Sequence, residues 1–275
     1  MTSHLNVALT FACYNQVEYT RQCIDSMRAC ETPLDRLVVI DNASTDETLA
    51  YLNSLPLGKV IHNQENLGCG VAWNQGALEF QSEWTIIMNN DVIVSKEWIE
   101  GLINSAVNHK LDIISPAMIE GKLDYDFHGL AKKACVEMND AVRIGWAHAV
   151  CLAVNKRVWK EVGYFRPAPK LLGYEDTLFF HEARHAGIRM GTTGASWLHH
   201  FGSITQSAMK RERGLKERDD LGLPNNDRLL HQSWLERKIN KFQNKRQLKT
   251  WREQEIMKYG MSLWGQSSGG QLTWI

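Results

Sequence analysis

The 275-residue sequence predicts an α/β fold with a mostly parallel central sheet and helices on both faces. One reason is that short apolar runs, typical of strands buried on both faces, alternate with segments of helical apolar spacing. Another is that polar residues directly follow three predicted strands, at Tyr14-Asn15, Asp41-Asn42 and Asn89 to Asp91. Because the carboxyl ends of parallel strands share one edge of a sheet, the sequence predicts a single binding site there.

The first half of the chain predicts five strands separated by helices. The predicted strands are Val7 to Phe11, Leu37 to Ile40, Lys59 to His62, Trp84 to Met88 and Ile113 to Ala117. The predicted helices cover 16–29, 44–53 and 71–80, and a fourth follows Ser95 with Trp98, Ile99, Leu102, Ile103, Ala106 and Val107 at helical spacing. Asn15 with Glu18, and Ser44 with Glu47, have the spacing of capping boxes, and Ser95 is a candidate N-cap.

The second half has a weaker pattern. The absence of a clear period between Lys122 and Arg143 predicts short strands and loops over the site. Further on, the sequence predicts strands over 149–154 and 195–201, a helical turn over 157–162 and a helix over 175–186 that Gly187 ends in a left-handed cap. Seven basic and no acidic residues lie between Arg237 and Arg252. With Leu235, Ile239, Phe242, Leu248 and Trp251 predicted on one face, this segment is a basic amphipathic helix.

Composition excludes several classes of protein. A formal net charge of +0 gives no global field to steer nucleic acid, so no nucleic-acid partner is expected. Six scattered cysteines without a C-x-x-C pair indicate reduced thiols in a cytosolic protein. The N-terminus has no signal-peptide pattern, and no apolar run approaches the ~20 residues that span a bilayer. We therefore expect a cytoplasmic protein, with the basic helix either meeting anionic lipid or a partner enzyme at the inner membrane face, or packing back on the domain.

The segment Asn89-Asn90-Asp91 is the strongest single pointer to chemistry. Three polar side chains at the end of a buried strand have no packing reason to be there. One carboxylate flanked by amides suits a divalent ion that keeps some waters and shares a diphosphate. The alternative is an ordinary turn in which Asn and Asp supply local hydrogen bonds.

Seven segments match a known pattern in the order that the family uses. They are Phe11 to Asn15, Val39 to Asp46, Asn66 to Gly76, Met88 to Asp91, Val154 to Phe165, Gly173 to Asp176 and His199 to Ser203. Together they resemble the family-two nucleotide-sugar glycosyltransferases, which have a Rossmann-like A-type fold. The resemblance covers roughly residues 5–205, and its 66–76 segment is most similar to bacterial enzymes that build O-antigen and related polysaccharides, several of them rhamnosyltransferases.

The resemblance implies a division of the chain. Residues 1–205 would form the glycosyltransferase domain, with the nucleotide-binding half over about 1–117 and the acceptor half over about 118–205. Residues 206–275 would form a basic helical C-terminal extension.

The resemblance also implies a donor site for a UDP- or dTDP-linked sugar. Asp41 would accept a hydrogen bond from the base, Asn89 would contact the ribose, and Asp91 would bind Mn²⁺ or Mg²⁺. The second metal ligand would be His200 or His199, and only one of them can reach the ion, because neighbouring strand residues point to opposite faces. His200, two residues before Gly202, is preferred. Asn89 replaces an acid of the family's Asp-x-Asp motif, which should weaken metal binding. The other implied donor contacts are Phe11, Ala12, Tyr14, Asn15, Asn66, Gly68, Asn74 and Asn90.

On the acceptor side the resemblance implies an inverting transfer to a hydroxyl of a glycan or lipid-linked saccharide. Asp176 would be the general base, with Glu175 beside it and Trp146 stacking on a sugar face. The alternatives are that Glu175-Asp176 is ordinary N-terminal helix charge and that Trp146 is a core residue. Arg166-Pro167 departs from the Asp-Glu usual in the family, which predicts an atypical acceptor edge.

Two other functions compete with this interpretation. His181-Glu182-Ala183-Arg184-His185 is a literal H-E-x-x-H, the motif of zinc peptidases. The metzincin continuation fails, however, since Ile188 and Gly191 replace its conserved positions. The second competitor is a non-catalytic sugar-binding subunit that has kept the fold.

Overall fold

The computed structural model describes residues 5–167, 175–202, 204–212, 214, 216 and 233–275. Its strands are β1 Val7–Cys13, β2 Leu37–Asp41, β3 Lys59–His62, β4 Trp84–Asn89, β5 Val92–Val94, β6 Ile113–Gly121, β7 Val142–Ile144, β8 Cys151–Asn155, β9 Met190–His200, β10 Trp264–Ser268 and β11 Gln271–Trp274. Its helices are α1 Val17–Ala29, α2 Thr48–Asn53, α3 Cys69–Glu79, α4 Trp98–His109, α5 Phe127–Glu137, α6 Lys156–Glu161, α7 Glu175–His185, α8 Ile204–Glu212 and α9 Trp234–Tyr259.

The sheet confirms the predicted α/β fold. Its order is β11-β10-β6-β8-β4-β1-β2-β3, with β9 pairing to β5, β6 and β7. The four strands β3, β2, β1 and β4 are mutually parallel and alternate with α1, α2 and α3. Beyond them β8 runs antiparallel between β4 and β6, so the second half of the chain makes the sheet mixed. The strands β1, β2 and β4 are almost entirely buried, because helices cover both faces.

The predicted capping boxes are wrong, because their side chains tie two strand ends together instead. Asn15 lies in the left-handed region with φ 53°, and its Oδ1 accepts from the backbone N–H of Thr45 at 2.7 Å. Ser44 Oγ in turn accepts from the backbone N–H of Asn15 at 2.8 Å. Ser95 likewise caps no helix, since its Oγ accepts from the backbone N–H of Trp197 on β9. These bonds fix the loops that surround the carboxyl ends of the strands.

The segment between Lys122 and Arg143 contains a helix, α5, which the sequence analysis missed. Asp126 caps it by accepting from the backbone N–H of Gly129. Phe127, Ala131 and Ala134 recur at helical spacing and are buried against β9 and the C-terminal strands. Because alanine contributes little hydrophobic contrast, this spacing gave no clear periodic signal.

The C-terminal segment contains the expected helix and then rejoins the sheet. Ser233 and Glu236 form a capping box at the start of α9. After α9 the chain forms the hairpin β10–β11, and β10 pairs in parallel with β6. The predicted single apolar face of α9 is wrong: Leu248 and Trp251 are partly buried, whereas Leu235, Ile239 and Phe242 are exposed. None of the described helices is long and apolar enough to span a bilayer.

Candidate active site

A cavity of about 600 Å³ opens at the carboxyl ends of β1 and β4. Ten residues singled out in the sequence line it: Ala12, Tyr14, Asn66, Asn89, Asn90, Asp91, Trp146, Glu175, Asp176 and His200. They come from segments up to 188 positions apart in sequence, from Ala12 to His200. Parallel strand ends thus bring together the residues that the sequence analysis expected to meet.

Asp91 and His200 lie side by side because β5 pairs with β9. Val92 is the partner of His200 in this antiparallel ladder, and Phe201 donates its backbone N–H to the Asp91 carbonyl. His200 Nε2 lies 3.4 Å from Asp91 Oδ1 and 3.4 Å from Asn89 Nδ2. Both side chains are buried, at 4% exposure for Asp91 and 6% for His200.

This pair fits a divalent ion that takes few protein ligands. Adjacent ligands on an octahedral ion with bonds of about 2.1 Å are about 3 Å apart, close to the observed 3.4 Å separation. His200 Nδ1 is buried without a hydrogen bond in the described structure, 3.7 Å from Glu120 Oε1. A small rotation of Glu120 would give the carboxylate–histidine arrangement that orients metal-bound imidazoles. Among the described residues no group of three or more His, Cys, Asp or Glu side chains surrounds one point.

His199, the alternative ligand, faces away from the cavity. Its ring is fully buried, and its Nδ1 lies 2.9 Å from the Tyr125 hydroxyl. Phe201 meets the ring edge-on, and Phe127 packs on it at a tilt. Burial lowers its pKa to about 4. The alternation of side chains along β9 therefore leaves only His200 beside Asp91.

Asp176 and Glu175 reach the cavity from the first turn of α7. Asp176 Oδ1 accepts from the backbone N–H of Thr177 at 2.7 Å, and the positive end of the helix dipole favours its charge. Glu175 is buried and packs against Gly70 in α3. A Cβ at position 70 would lie 3.0 Å from Glu175 Cγ, so any larger residue there would require the Glu175 side chain to shift by a few tenths of an ångström.

Carboxylates from both sides of the cavity surround Cys69. Burial raises the pKa of its thiol to about 12, and the charges of Glu175, Asp176 and Asp91 add to this effect. The cavity lining also includes Glu120, so carboxylates outnumber the one arginine, Arg184, in the lining. This excess of negative charge suits a site that recruits a divalent cation before it accepts a diphosphate.

Five predicted donor contacts do not line the cavity. Phe11 is a fully buried core residue of β1, so its side chain is not exposed to the cavity. Asp41 is also fully buried, and its carboxylate lies 2.7 Å from His62 Nδ1 and accepts from the backbone N–H of Ser44. In this structure its carboxylate therefore faces other protein groups and not the cavity.

The other three predicted contacts that do not line the cavity, Asn74, Gly68 and Asn15, stabilise the fold around it. Asn74 clamps Phe165 by donating to its carbonyl at 2.7 Å and accepting from its N–H at 3.0 Å. Gly68 has φ 84°, a conformation that glycine adopts without strain, and it begins α3. Asn15 holds the loop after β2, as described above. Asn90 does line the cavity, but its amide donates inward to Thr20 Oγ1.

Several lining residues were missed by the sequence analysis. Asn42, one of the predicted strand-end residues, lines the cavity although no contact was assigned to it, and the lining residues without any prediction are Glu120, His148, Arg184, Thr205, Met209, Asn244 and Trp264. Asn42 and Glu120 follow or end predicted strands, so the same strand-end signal applies to them. Asn244 and Trp264 had no signal, because the pairing of β10 with β6 that brings Trp264 here is not encoded locally.

The helix α8 packs over the donor side of the cavity. Met209 is 3% exposed and contacts Tyr14 and Cys69. Glu212 accepts from the Tyr14 hydroxyl at 3.1 Å and from the Asn15 amide at 3.4 Å. This helix thus narrows the cavity above the end of β1.

The H-E-x-x-H motif does not form a zinc site in the described structure. His185 Nδ1 lies 2.8 Å from the carbonyl of His181 in its own helix. Glu182, which would be the base of a peptidase, is ion-paired with Arg166 at 2.7 Å. The motif is therefore a helix surface pattern and not a metal centre.

Comparison with known proteins defines the class. The sequence profile of Glycosyl transferase family 2 matches residues 11–189, so the chain belongs to this family. A search of curated proteins found no match.

Solved structures share the fold at low identity. GalNAc-T7 with UDP, GalNAc and Mn²⁺ has a TM-score of 0.56 at 14% identity, over 71% of this chain and 44% of that one. The mannosyltransferase PcManGT from Pyrobaculum calidifontis, with GDP-Man and Mn²⁺, has a TM-score of 0.54 at 19% identity, over 76% and 60%. TarS 1–349 of S. aureus with UDP-GlcNAc has a TM-score of 0.53 at 16% identity, over 73% and 61%. The chain thus spans less than two thirds of each of these proteins.

Proposed function

We propose that the protein is an inverting, metal-assisted glycosyltransferase. It moves a sugar from a UDP- or dTDP-linked donor to a hydroxyl of a glycan or lipid-linked saccharide, in the synthesis of a surface polysaccharide such as O-antigen. The observation that carries the proposal is that Asp91, His200 and Asp176 line one cavity. Family membership supports sugar transfer in general, and of the solved proteins with the same fold PcManGT holds GDP-Man with Mn²⁺ and GalNAc-T7 holds UDP, GalNAc and Mn²⁺.

On the donor side, Asp91 and His200 would hold Mn²⁺ or Mg²⁺. When bound, the ion supplies charge neutralisation for the leaving diphosphate. Tyr14, Asn42 and Asn66 line the cavity at the ends of β1 and β2. We assign base and ribose contacts to this group in place of the buried Asp41.

On the acceptor side, Asp176 takes the proton of an acceptor hydroxyl. The freed oxygen forms a bond to the anomeric carbon while the bond from that carbon to the diphosphate oxygen breaks on the opposite face. The nucleoside diphosphate leaves with the bonding electron pair, and the configuration inverts. Glu175 stays beside the acceptor, and Trp146 packs against its ring.

Two substitutions separate these roles. Asp176→Asn should keep nucleotide binding in Mn²⁺ and lower transfer by roughly 10²–10⁴-fold, the usual contribution of a positioned base. Asp91→Ala should lose both transfer and the Mn²⁺-dependent part of nucleotide binding, measured by calorimetry. Asp25→Asn, an exposed carboxylate on α1, is the control. An Asp176→Asn enzyme that transfers at the normal rate would show that the base is wrongly assigned, and a sugar-binding subunit would show no transfer at all.

We further propose that the outer face of α9 meets an anionic lipid surface. Leu235, Ile239 and Phe242 are 59%, 46% and 68% exposed, among exposed lysines such as Lys238 and Lys249. A basic face with exposed apolar side chains binds anionic bilayers through electrostatic attraction and through burial of the apolar side chains. Lipid-linked acceptors lie at such surfaces.

Point variants test this better than truncation. Removing the C-terminal segment would also remove Glu255, which binds Arg143, and Trp264, which lines the cavity. Phe242→Glu should abolish co-flotation with vesicles containing phosphatidylglycerol, while donor hydrolysis stays normal. Val136→Glu, at an exposed apolar position on α5, is the matched control. Equal flotation of wild type and Phe242→Glu, or equal binding to neutral phosphatidylcholine vesicles, would contradict the proposal.

A further inference from the structure

One wall of the cavity comes from residues outside the family match. The match ends at residue 189, whereas Asn244 of α9 and Trp264 of β10 line the cavity. Trp264 stacks on Trp146, with ring centroids 5.4 Å apart and planes at 29°. The two indoles form a continuous aromatic surface that neither segment provides alone.

This wall is fixed from two sides. Arg143 on β7 donates to both carboxylate oxygens of Glu255 on α9, each at 2.8 Å, and its guanidinium carbon lies 5.6 Å from the Trp146 ring centroid. Trp264 pairs with Met118 in the parallel ladder of β10 and β6. The aromatic surface is therefore preorganised by a buried ion pair and a strand ladder.

Three buried polar atoms beside this surface have no hydrogen-bond partner in the described part of the chain. They are the indole N–H of Trp264, Nδ1 of His148 and Nη1 of Arg143, and the first two belong to side chains that line the cavity. His148 Nε2 lies 2.8 Å from the Pro116 carbonyl and must donate to it, so Nδ1 is left as an acceptor. A buried donor and a buried acceptor without partners both cost free energy. A hydroxyl group satisfies either of them, since it donates and accepts.

We propose that Trp146, Trp264, His148 and Asn244 form a subsite for an uncharged pyranose ring of the acceptor. The inference rests on the proposed function, because it takes the ring to be part of the acceptor saccharide. A pyranose presents an apolar C–H face to the indoles and hydroxyls at its rim to the polar atoms. We take the ring to be uncharged because Arg143, the cation that packs against Trp146, is paired with Glu255.

The experiment measures binding of methyl glycosides of rhamnose, glucose, galactose, mannose and N-acetylglucosamine, by saturation-transfer NMR with UDP and Mn²⁺ present. At least one glycoside should bind the wild type. Trp264→Phe keeps an aromatic ring and loses the N–H, so binding should weaken roughly fivefold, the factor for one lost hydrogen bond. Asn244→Ala, an exposed position that folding tolerates, should weaken it in the same direction. Trp274→Phe, in the same hairpin but outside the cavity lining, should bind as the wild type does.

Binding of UDP in Mn²⁺ and donor hydrolysis are measured on the same samples. The subsite is refuted if no glycoside binds, if both Trp264→Phe and Asn244→Ala bind normally, or if these variants change the KM for the donor instead. If the wild-type protein neither binds UDP in Mn²⁺ nor hydrolyses the donor, the proposed function itself is refuted. The two failures are therefore distinguishable.

Discussion

The pair Arg143–Glu255 allows a quantitative prediction about the C-terminal segment. Arg143 is 1% exposed, and Glu255 is 8% exposed, so both charges are buried. Glu255 Oε2 also accepts from the backbone N–H of Leu263, and Arg143 Nη2 also donates to Ser262. One carboxylate thus holds β7, the end of α9 and the start of β10 together.

Replacing Glu255 by Leu leaves the Arg143 charge buried and uncompensated. Removing one partner of a buried pair typically costs about 3–5 kcal/mol. At roughly 2–4 °C per kcal/mol for a chain of this size, the melting temperature should fall by roughly 6–20 °C. The double variant Arg143→Met/Glu255→Leu removes both charges and should recover most of this loss. It retains a cost of about 1–3 kcal/mol, because the buried Leu263 N–H still lacks its acceptor.

The assays are thermal unfolding, which gives the melting temperature, and urea unfolding of Arg143→Met, Glu255→Leu and the double variant, analysed as a double-mutant cycle. Lys249→Met is the control, because it removes an exposed pair with Glu253 on the same helix and should change the unfolding midpoint little. A double variant as unstable as Glu255→Leu would refute the argument, and so would a Glu255→Leu protein as stable as the wild type. Either result would mean that a buried, unpaired Arg143 charge is not the cause of the predicted loss of stability.

Three further predictions follow from packing and titration. Gly76→Ala should destabilise the protein by about 1–3 kcal/mol in urea unfolding, because its Cβ would collide with Thr10 Oγ1; equal stability would contradict the packing of α3 on β1. Asn74→Ala should cost about 2–6 kcal/mol, since it leaves two backbone groups of Phe165 unpaired, and an unchanged midpoint would contradict the clamp. Burial lowers the pKa of His148 from 6.5 to about 4, so below pH 6.5 the unfolded chain binds a proton that the folded chain refuses until about pH 4. The contribution of His148 to stability should therefore be constant above pH 6.5 and fall by at most about 3 kcal/mol toward pH 4, so stability in urea unfolding should decline less steeply in His148→Gln, and an equally steep decline would contradict the shift.

The parts of the site that the sequence predicted share a local cause. Asn89 to Asp91 follow a strand without polar alternation, and Asp176 begins a helix with a clear end at Gly187, whose φ is 71°. Strand order in a parallel sheet is constrained, so local patterns were enough to bring these ends to one edge. The general prediction of a cavity at that edge therefore needed no long-range information.

The roles of individual side chains were harder to predict, because a polar residue at a strand end can either face a ligand or bond to other protein groups. Asp41 and Asn74 fit the family pattern, yet Asp41 pairs with His62 and Asn74 clamps Phe165, 91 positions away. A sequence does not distinguish a polar group that faces a ligand from one that satisfies the backbone. The role of such a residue depends on its hydrogen-bond partner in the fold, and that partner is remote in sequence.

The part of the cavity wall that comes from the C-terminal segment was also not predictable from local sequence. Residues 265–270, a Gly/Ser-rich stretch, have the composition of a linker, yet Trp264–Ser268 is a strand because β6 supplies its hydrogen bonds. Trp264 thereby reaches a cavity that also contains the strand-end residues Asn89 to Asp91. Local patterns identified those strand ends, whereas the position of Trp264 depends on its pairing with Met118, 146 positions away in sequence.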